Sequence, residues 1–113
     1  MKYMKNPLLA LCVLAFIPCL GICSSVFTAH VLQVGVYDNG NIYIALDQTL
    51  DEPGCSSSYL EIPPSVLGYK QILATAQLAY ATGKSITIKT GTCYMGSPSF
   101  VGDRTGFIVL KNQ

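Results

Sequence analysis

Residues 31–46 have the sequence VLQVGVYDNGNIYIAL, which predicts a β-hairpin. Apolar residues alternate with other residues on both sides of a central turn, as in strands that bury one face. The turn contains Asn39-Gly40, a strong hairpin signal because both residues tolerate positive φ angles. The first strand, residues 31–37, is expected to carry Leu32, Val34 and Val36 on one face and Gln33, Gly35 and Tyr37 on the other. In the second strand, Ile42, Ile44 and Leu46 alternate with Tyr43, Ala45 and Asp47.

The rest of the pattern predicts three more strands and one helix. Pro63-Pro64 ends the third strand, because proline cannot continue a strand ladder. The β-branched residues after position 85 favour a fourth strand. In chain order the expected elements are a polar loop at 47–58, a strand at 59–62, a helix at 65–82, a strand at 85–90, an irregular segment at 91–105 and a strand at 106–110.

The predicted helix has an apolar stripe at helical spacing and recognisable ends. Ser65 is a candidate N-cap, and a start one turn later, near Gly68, is the alternative. Gly83 is suited to the left-handed conformation that ends many helices. A helix among antiparallel strands places the chain in the α+β class, as a single domain over residues 26–113.

The first 25 residues predict a secretory signal peptide. Lys2 and Lys5 precede an uninterrupted apolar run at residues 8–17, and Pro18 and several small residues follow it. This is the order of the three regions of a signal peptide. The apolar run is shorter than the roughly 20 residues that a membrane-spanning helix needs.

Small residues place the cleavage after Cys23, Ser24 or Ser25. Cleavage after Ala29 is less favourable, since it sets the bulky Phe27 three positions upstream. Two further interpretations of this segment are a lipid anchor attached at Cys23 and a membrane anchor that is never cleaved.

The domain expected after cleavage is close to neutral. The whole chain has seven Lys and Arg residues against six Asp and Glu residues, and two of the basic residues, Lys2 and Lys5, lie in the leader. The remaining five basic and six acidic residues give a net charge of about −1. Because nucleic-acid binding depends on clustered basic residues, this balance argues against a nucleic-acid partner.

Cys55 and Cys93 are the cysteines of the expected mature domain, and the other three lie in or near the leader. Two cysteines in a small exported domain predict one disulfide. A metal site is the alternative. However, two cysteines and the single histidine, His30, fall short of the four ligands that structural zinc takes.

Few residues offer catalytic chemistry. His30 lies at the start of the first strand, where an exposed terminal residue is a simpler interpretation than a general base. Asp47, Asp51 and Glu52 are expected in a solvated loop, and a calcium site there would need more oxygen ligands. The glycines follow no phosphate-binding pattern. The sequence therefore predicts a non-enzymatic protein with no metal or cofactor.

Tyrosines are the residues best suited to binding, because each ring joins an apolar face to a hydroxyl group. Tyr43, Tyr69 and Tyr80 are interpreted as half-buried structural residues. Tyr94 and Phe100 are expected to be exposed in the long irregular segment, and such loops often carry binding residues. The predicted binding loop consists of Tyr94, Ser97, Ser99, Phe100, Asp103 and Arg104.

Residues 71–88, QILATAQLAYATGKSITI, resemble the helix-to-strand segment of subtilase-cytotoxin-type B subunits. Residues 41–46, NIYIAL, resemble the second strand of those subunits. The resemblance implies an OB-like fold, a small antiparallel sheet or partly closed barrel of about five strands with one helix. It also implies a homopentamer that binds host glycans. None of the sugar-contacting residues of the family can be assigned to a position of this chain.

Together these observations predict an exported binding protein, secreted or periplasmic. The expected partner is a host or surface glycan, bound by an oligomeric module similar to a toxin B subunit. The alternative function is that of a small inhibitor or accessory protein that binds another exported protein.

Overall fold

The computed structural model describes residues 25–112. The predicted signal peptide, residues 1–25, lies outside the described residues except for Ser25. In the described part, one helix, α1, spans Tyr69–Thr82. The eight strands are β1 Phe27–Ala29, β2 Val31–Val36, β3 Ile42–Leu50, β4 Ser57–Ile62, β5 Ile86–Lys89, β6 Thr92–Tyr94, β7 Ser97–Ser99 and β8 Phe107–Leu110.

The strands form three antiparallel sheets. One sheet has the strand order β2-β3-β4, a second has the order β1-β5-β8, and β6 and β7 form a two-stranded ribbon. None of these sheets, within residues 25–112, closes into a barrel. The predicted α+β class is confirmed, and the five predicted strands correspond to β2, β3, β4, β5 and β8. The short strands β1, β6 and β7 are additional.

The predicted β2–β3 hairpin is confirmed. The Tyr37 N–H donates to the Asn41 carbonyl at 2.7 Å, and the Gly40 N–H donates to the Tyr37 carbonyl at 2.9 Å. Gly40 has a φ of 92°, which glycine adopts at no steric cost. The Tyr69 hydroxyl of α1 donates a hydrogen bond to the Gly40 carbonyl and so fastens the turn to the helix.

The predicted faces of β2 are wrong at Leu32. A β-bulge lies between Val31 and Gln33, and an extra residue in one strand interrupts the alternation of its faces. Val31 is therefore buried beside Leu46, whereas Leu32, predicted on the core face, is 55% exposed. Val34 packs against the core as predicted, whereas Val36, predicted on the same face, is 56% exposed.

Strand β3 is longer than predicted, so the acidic loop is shorter. Asp47 lies within β3, and the loop between β3 and β4 comprises residues 51–56. Glu52 is buried and accepts a hydrogen bond from the Thr90 hydroxyl at 2.5 Å. The expected solvated position is therefore wrong for Glu52, because this carboxylate has a hydrogen-bond partner inside the fold.

Helix α1 follows the later of the two predicted starts. It begins at Tyr69, and Gly68, with a φ of 85°, occupies the N-cap position in place of Ser65. No side chain caps this end of the helix. The predicted end is confirmed: Gly83 has a φ of 71°, and its N–H donates to the Ala79 carbonyl at 2.9 Å.

An apolar cluster joins the helix to the two three-stranded sheets. Helix α1 packs against β2 and β8, and β1 contacts β3. Ala76 and Ala79 are the buried residues of the helix, and their small side chains let its backbone lie close to the strands. The cluster consists of Ala29, Val31, Ile42, Ile44, Leu46, Leu50, Leu60, Ile62, Val66, Ala76, Ala79, Ile86, Ile88 and Phe100.

The segment 91–105, predicted to be irregular, contains a second hairpin. Strand β6 pairs with β7 through a turn at Met95-Gly96, whose φ angles are 54° and 79°. Two consecutive positive φ values are typical of tight hairpin turns. Residues such as Met95 adopt them rarely, so the sequence carries no clear hairpin signal at this position.

The predicted disulfide between Cys55 and Cys93 is confirmed, with their Cα atoms 5.9 Å apart. It ties the loop at 51–56 to β6 and holds the β6–β7 ribbon next to β4, which contacts β7. Disulfides are typical of proteins in oxidising compartments outside the cytosol. The helix of the described region does not have the length and apolar character needed to cross a membrane.

Removal of the disulfide should lower the stability strongly. The bridge joins residues 38 positions apart, and on chain-entropy grounds such a link contributes about 4 kcal/mol to the free energy of unfolding. We therefore expect the Cys55→Ala/Cys93→Ala variant to unfold at a much lower urea concentration, with a loss of roughly that size. Equilibrium unfolding followed by circular dichroism measures the loss, and an unchanged midpoint would contradict the expectation.

Candidate functional site

The structure separates the six residues of the predicted binding loop. Ser99 and Phe100 are buried, with 1% and 5% of their surface exposed. The expectation of an exposed Phe100 is therefore wrong, because its ring belongs to the core cluster. Ser97 and Tyr94 are partly buried in the β6–β7 ribbon, and Asp103 and Arg104 are exposed in the loop before β8.

A group of tyrosines covers the face of the β2–β3–β4 sheet that points away from the core. Tyr43 lies between the buried Ile42 and Ile44 on β3, so its side chain points to this outer face. Its ring lies directly over Gly35 of β2. A Cβ atom built on Gly35 would be only 2.3 Å from the Tyr43 Cε2, Cζ and hydroxyl atoms. Glycine at this position therefore lets the ring lie flat on the sheet.

A second ring lies across the same face. Tyr59 of β4 pairs with Ala45 of β3, and Ala45 pairs with Gln33 of β2. The Tyr59 hydroxyl donates to Gln33 Oε1 at 3.3 Å, so the tyrosine side chain extends across β3. Although Ala45 is on the outer face, it is only 5% exposed, because the Tyr59 side chain covers it.

Three tyrosines form a continuous surface, which we call the tyrosine platform: Tyr37, Tyr43 and Tyr59. The ring centroids of Tyr43 and Tyr59 are 6.2 Å apart, and the ring planes differ by 24°. The Tyr37 ring lies 5.2 Å from that of Tyr43 and is tilted by 49°. The rings of Tyr43 and Tyr59 are therefore nearly parallel, and the Tyr37 ring is inclined beside Tyr43. Tyr37 and Tyr59 are 47% and 44% exposed.

Polar groups border the platform beside Tyr43. Glu61 of β4 pairs with Tyr43, so its carboxylate lies next to that residue on the outer face. The buried Asn41 donates from Nδ2 to Glu61 Oε2 at 3.0 Å and to the Tyr94 hydroxyl oxygen at 3.1 Å. Tyr94 is thus the predicted loop residue that the structure joins to the edge of the platform.

The tyrosine platform was missed by reasoning from the sequence, although part of its signal was available. Alternation along residues 35–37 puts Tyr37 on the same face as Gly35. In the structure, a three-residue loop at 38–40 brings Tyr43 opposite Gly35. A glycine facing an aromatic residue on a neighbouring strand is a recognisable pattern. Tyr59 reaches the platform through the register of β3 and β4, and no turn motif in the sequence predicts that register.

A separate cavity of about 620 Å³ lies between the N-terminal half of α1 and the loop before β8. We call it the helix–loop cavity. This volume falls within the range of small-molecule sites. Its apolar lining includes Ile72, Phe100 and Ile108, and its polar lining includes Gln71, Asp103 and Arg104. Two members of the predicted binding loop, Asp103 and Arg104, therefore meet here and not at the tyrosine platform.

Two glycines allow the loop wall of the helix–loop cavity to pack closely. A Cβ atom on Gly102 would be 3.1 Å from the backbone nitrogen of Leu67, and the φ of Gly102 is 90°. A Cβ atom on Gly106 would be 2.8 Å from the Lys89 carbonyl oxygen and 3.0 Å from Phe100 Cδ1. Larger residues at either position would push the loop away from its neighbours.

Asp103 is engaged in holding this loop. Its Oδ1 accepts hydrogen bonds from the Thr105 hydroxyl at 2.5 Å and from the Thr105 N–H at 3.0 Å. These bonds lower the pKa of the Asp103 carboxyl below its ordinary value, and the nearby Lys89 acts in the same direction. Lys89 Nζ also donates to the Thr105 carbonyl at 3.3 Å.

Arg104 differs from Asp103 in its backbone conformation and in the environment of its charge. It has a φ of 81°, a left-handed conformation that is uncommon for a residue with a side chain. Its guanidinium group makes no hydrogen bond or ion pair with any of the residues 25–112. The loop therefore presents a permanent positive charge that has no direct partner within the described part of the chain.

His30 pairs with Asp47 at the start of the hairpin. The His30 N–H donates to Asp47 Oδ1 at 2.8 Å, and His30 Nδ1 lies 3.1 Å from Asp47 Oδ2. The backbone hydrogen bond from His30 is the main cause that lowers the pKa of the Asp47 carboxyl. Over residues 25–112, no group of three or more His, Cys, Asp or Glu side chains is arranged to hold a metal ion.

Comparison with known protein families, curated proteins and solved structures gives no significant match to this chain. The resemblance of residues 41–46 and 71–88 to toxin B subunits therefore stays a prediction. The tyrosine platform and the helix–loop cavity are the two surfaces whose geometry suits a ligand.

The His30–Asp47 contact should make part of the stability depend on pH. The folded pKa of Asp47 lies below the ordinary value of 3.8. Its ionised form therefore contributes stability that is present above the unfolded pKa and lost as the pH falls through the folded pKa. We expect Asp47→Asn to lower the melting temperature near pH 6 and to have a clearly smaller effect at about pH 2, because the contribution declines as the pH falls below 3.8.

Thermal unfolding at the two pH values measures this difference. Asp38→Asn, which removes an exposed carboxylate near the hairpin turn, is the matched control and should show a smaller effect near pH 6. An effect of Asp47→Asn that is equal at both pH values would contradict the assignment.

Proposed function

We propose that this chain is an exported, non-enzymatic binding protein that recognises carbohydrate through the tyrosine platform. The observation that carries the proposal is the pair of Tyr43 and Tyr59 rings lying nearly parallel on the outer face of the β2–β3–β4 sheet. The disulfide supports the exported location, since such bridges form in oxidising compartments.

A flat aromatic surface suits a sugar ring. The faces of a pyranose ring present C–H groups, which pack against the electron-rich face of an aromatic side chain. Two adjacent rings offer stacking positions for neighbouring sugars of one chain. The tilted Tyr37 ring, 5.2 Å from Tyr43, provides a side wall that limits how a sugar can be placed.

Hydrogen-bonding groups beside the rings suit the hydroxyl groups of a sugar. The Glu61 carboxylate accepts one bond from Asn41 and has further acceptor positions available to a ligand. The Gln33 amide, whose oxygen accepts from Tyr59, has an NH₂ group that can donate. Apolar stacking and planar polar groups therefore lie on one surface.

The platform is fixed before any ligand arrives. Gly35 lets the Tyr43 ring lie against the backbone, and the bond to Gln33 holds the Tyr59 ring. The Cys55–Cys93 bridge keeps β6, which carries Tyr94, beside the sheet. Rigid side chains lose little conformational entropy on binding, which favours affinity.

A second candidate function, binding of another exported protein, is favoured by the free edge of β2. Within the described residues β2 pairs with β3 alone, so its other edge has unpaired backbone groups. Leu32 and Val36 on this strand are 55% and 56% exposed. A strand of a partner protein could add to this edge, as in other cases of recognition by strand addition. An inhibitor or accessory protein would use this surface.

Carbohydrate binding should depend on the ring of Tyr59. A glycan array screened with the purified protein identifies a ligand, and calorimetry then measures its affinity. We expect Tyr59→Ala to weaken binding by up to about tenfold, because an aromatic stacking contact contributes about 0.5–1.5 kcal/mol. Tyr59→Phe keeps the ring and should retain most of the affinity.

The control is Tyr80→Ala. Tyr80 lies on α1 and is 58% exposed, more than the half-buried position expected for it, so the substitution removes an exposed tyrosine away from the platform. Equal losses in Tyr59→Ala and Tyr80→Ala would argue against the platform. Absence of any glycan ligand, together with capture of one exported protein that is lost on substitution of Leu32, would favour the second candidate.

A protein similar to a toxin B subunit would bind carbohydrate as an oligomer. The resemblance implies both an OB-like fold and a homopentamer, so this version of the proposal expects the mature protein in solution to have about five times the mass of one chain. Size-exclusion chromatography with light scattering measures that mass. A monomer would remove the ring-forming version and leave carbohydrate binding by a single platform.

A further inference from the structure

We propose that the helix–loop cavity is a second binding site, which takes a small organic carboxylate with an apolar body. The cavity is formed by α1, the loop before β8 and part of β8. The tyrosine platform is formed by other elements, β2, β3 and β4. The proposal is therefore independent of carbohydrate binding.

The lining supplies the apolar half of the recognition. Phe100 is 5% exposed, and Ile72 and Ile108 are partly buried at the cavity wall. Leu67, which also lines the cavity, is 81% exposed, the highest value among the exposed large apolar side chains of residues 25–112. An apolar ligand body would cover the exposed Leu67 side chain above all and gain the free energy of removing it from water.

Arg104 supplies the polar half. Asp103, the acidic residue of the lining, is hydrogen-bonded to Thr105, and Lys89 of β5 lies near it, so this carboxylate is engaged by other residues of the protein. Arg104 has no such partner in the described part of the chain. A guanidinium group binds a carboxylate through two parallel hydrogen bonds, which makes a carboxylate the matching ligand group.

The helix adds positive potential on the opposite wall. The first turn of α1 has no acidic residue and contains Lys70. No side chain accepts a hydrogen bond from its N-terminal N–H groups as a cap. Both features favour an anion over a cation near Gly68 and Gln71, which line the cavity at this end of the helix.

The left-handed backbone of Arg104 is a further indication. Such a conformation is disfavoured for a residue with a side chain, whereas glycine adopts it freely. The hydrogen bonds between Asp103 and Thr105 hold the turn of this loop. The residue between them, which has the left-handed conformation, is Arg104 and not a glycine. Local strain of this kind is concentrated at functional positions.

The test is a titration of the purified protein with octanoate, followed by ¹H–¹⁵N correlation NMR. We expect shifts of the backbone signals of Thr75, Gly102 and Gly106, which line the cavity. The signals of Tyr43 and Tyr59 should not move. Octyltrimethylammonium, with an alkyl chain of similar length and the opposite charge, should bind at least about tenfold more weakly, because it cannot pair with Arg104.

Two substitutions separate the charge from the fold. Arg104→Gln should weaken octanoate binding about tenfold, the size expected when a charged hydrogen bond is lost. Arg104→Gly should likewise remove the part of the octanoate affinity that the guanidinium group supplies. It should leave the melting temperature unchanged or raise it, because glycine adopts a φ of 81° without steric cost. Lys84→Gln removes one positive charge beyond the far end of α1 and should leave binding unchanged.

Several outcomes would overturn the proposal. They are absence of octanoate binding, equal binding of octyltrimethylammonium, equal affinity in Arg104→Gln, or shifts confined to the tyrosine platform. If Arg104→Gln loses octanoate binding and keeps carbohydrate binding, the result would support the proposed site in the helix–loop cavity. It would not bear on carbohydrate binding by the tyrosine platform.

Discussion

The alternation of side chains along β3 determines both faces of this protein. Strand β3 is the middle strand of its sheet and pairs with β2 and β4. Ile42 and Ile44 point inward and are fully buried, while Tyr43 and Ala45 between and beside them point outward. A shift of one residue in this strand would exchange the two sets and would bury a tyrosine hydroxyl in the core. The core and the tyrosine platform therefore depend on one register.

The elements with strong local signals could be predicted from the sequence. Gly40 in the hairpin turn and Gly83 at the end of the helix both have positive φ angles, which few residues other than glycine adopt. The disulfide followed from counting the cysteines of a domain that the sequence predicts to be exported. In each case a few neighbouring residues, or a simple count, were sufficient.

The features that could not be predicted depend on long-range contacts or on unusual backbone conformations. Met95 and Arg104 adopt positive φ angles without being glycine, so their turns lacked a sequence signal. Glu52 is buried because Thr90, distant in the sequence, donates a hydrogen bond to it. The tyrosine platform needs the register of three strands, and the helix–loop cavity needs the helix and the loop before β8 to meet.

The sheet topology has a consequence for the order of folding. The β2–β3–β4 sheet is made of one continuous stretch, residues 31–62, with contacts between strands that are neighbours in the chain. The sheet of β1, β5 and β8 pairs Phe27 with Ile88, so it must close a long loop before it forms. Local contacts form faster than distant ones. We expect the surface that carries the tyrosine platform to assemble early in folding, and the helix–loop cavity to be completed last.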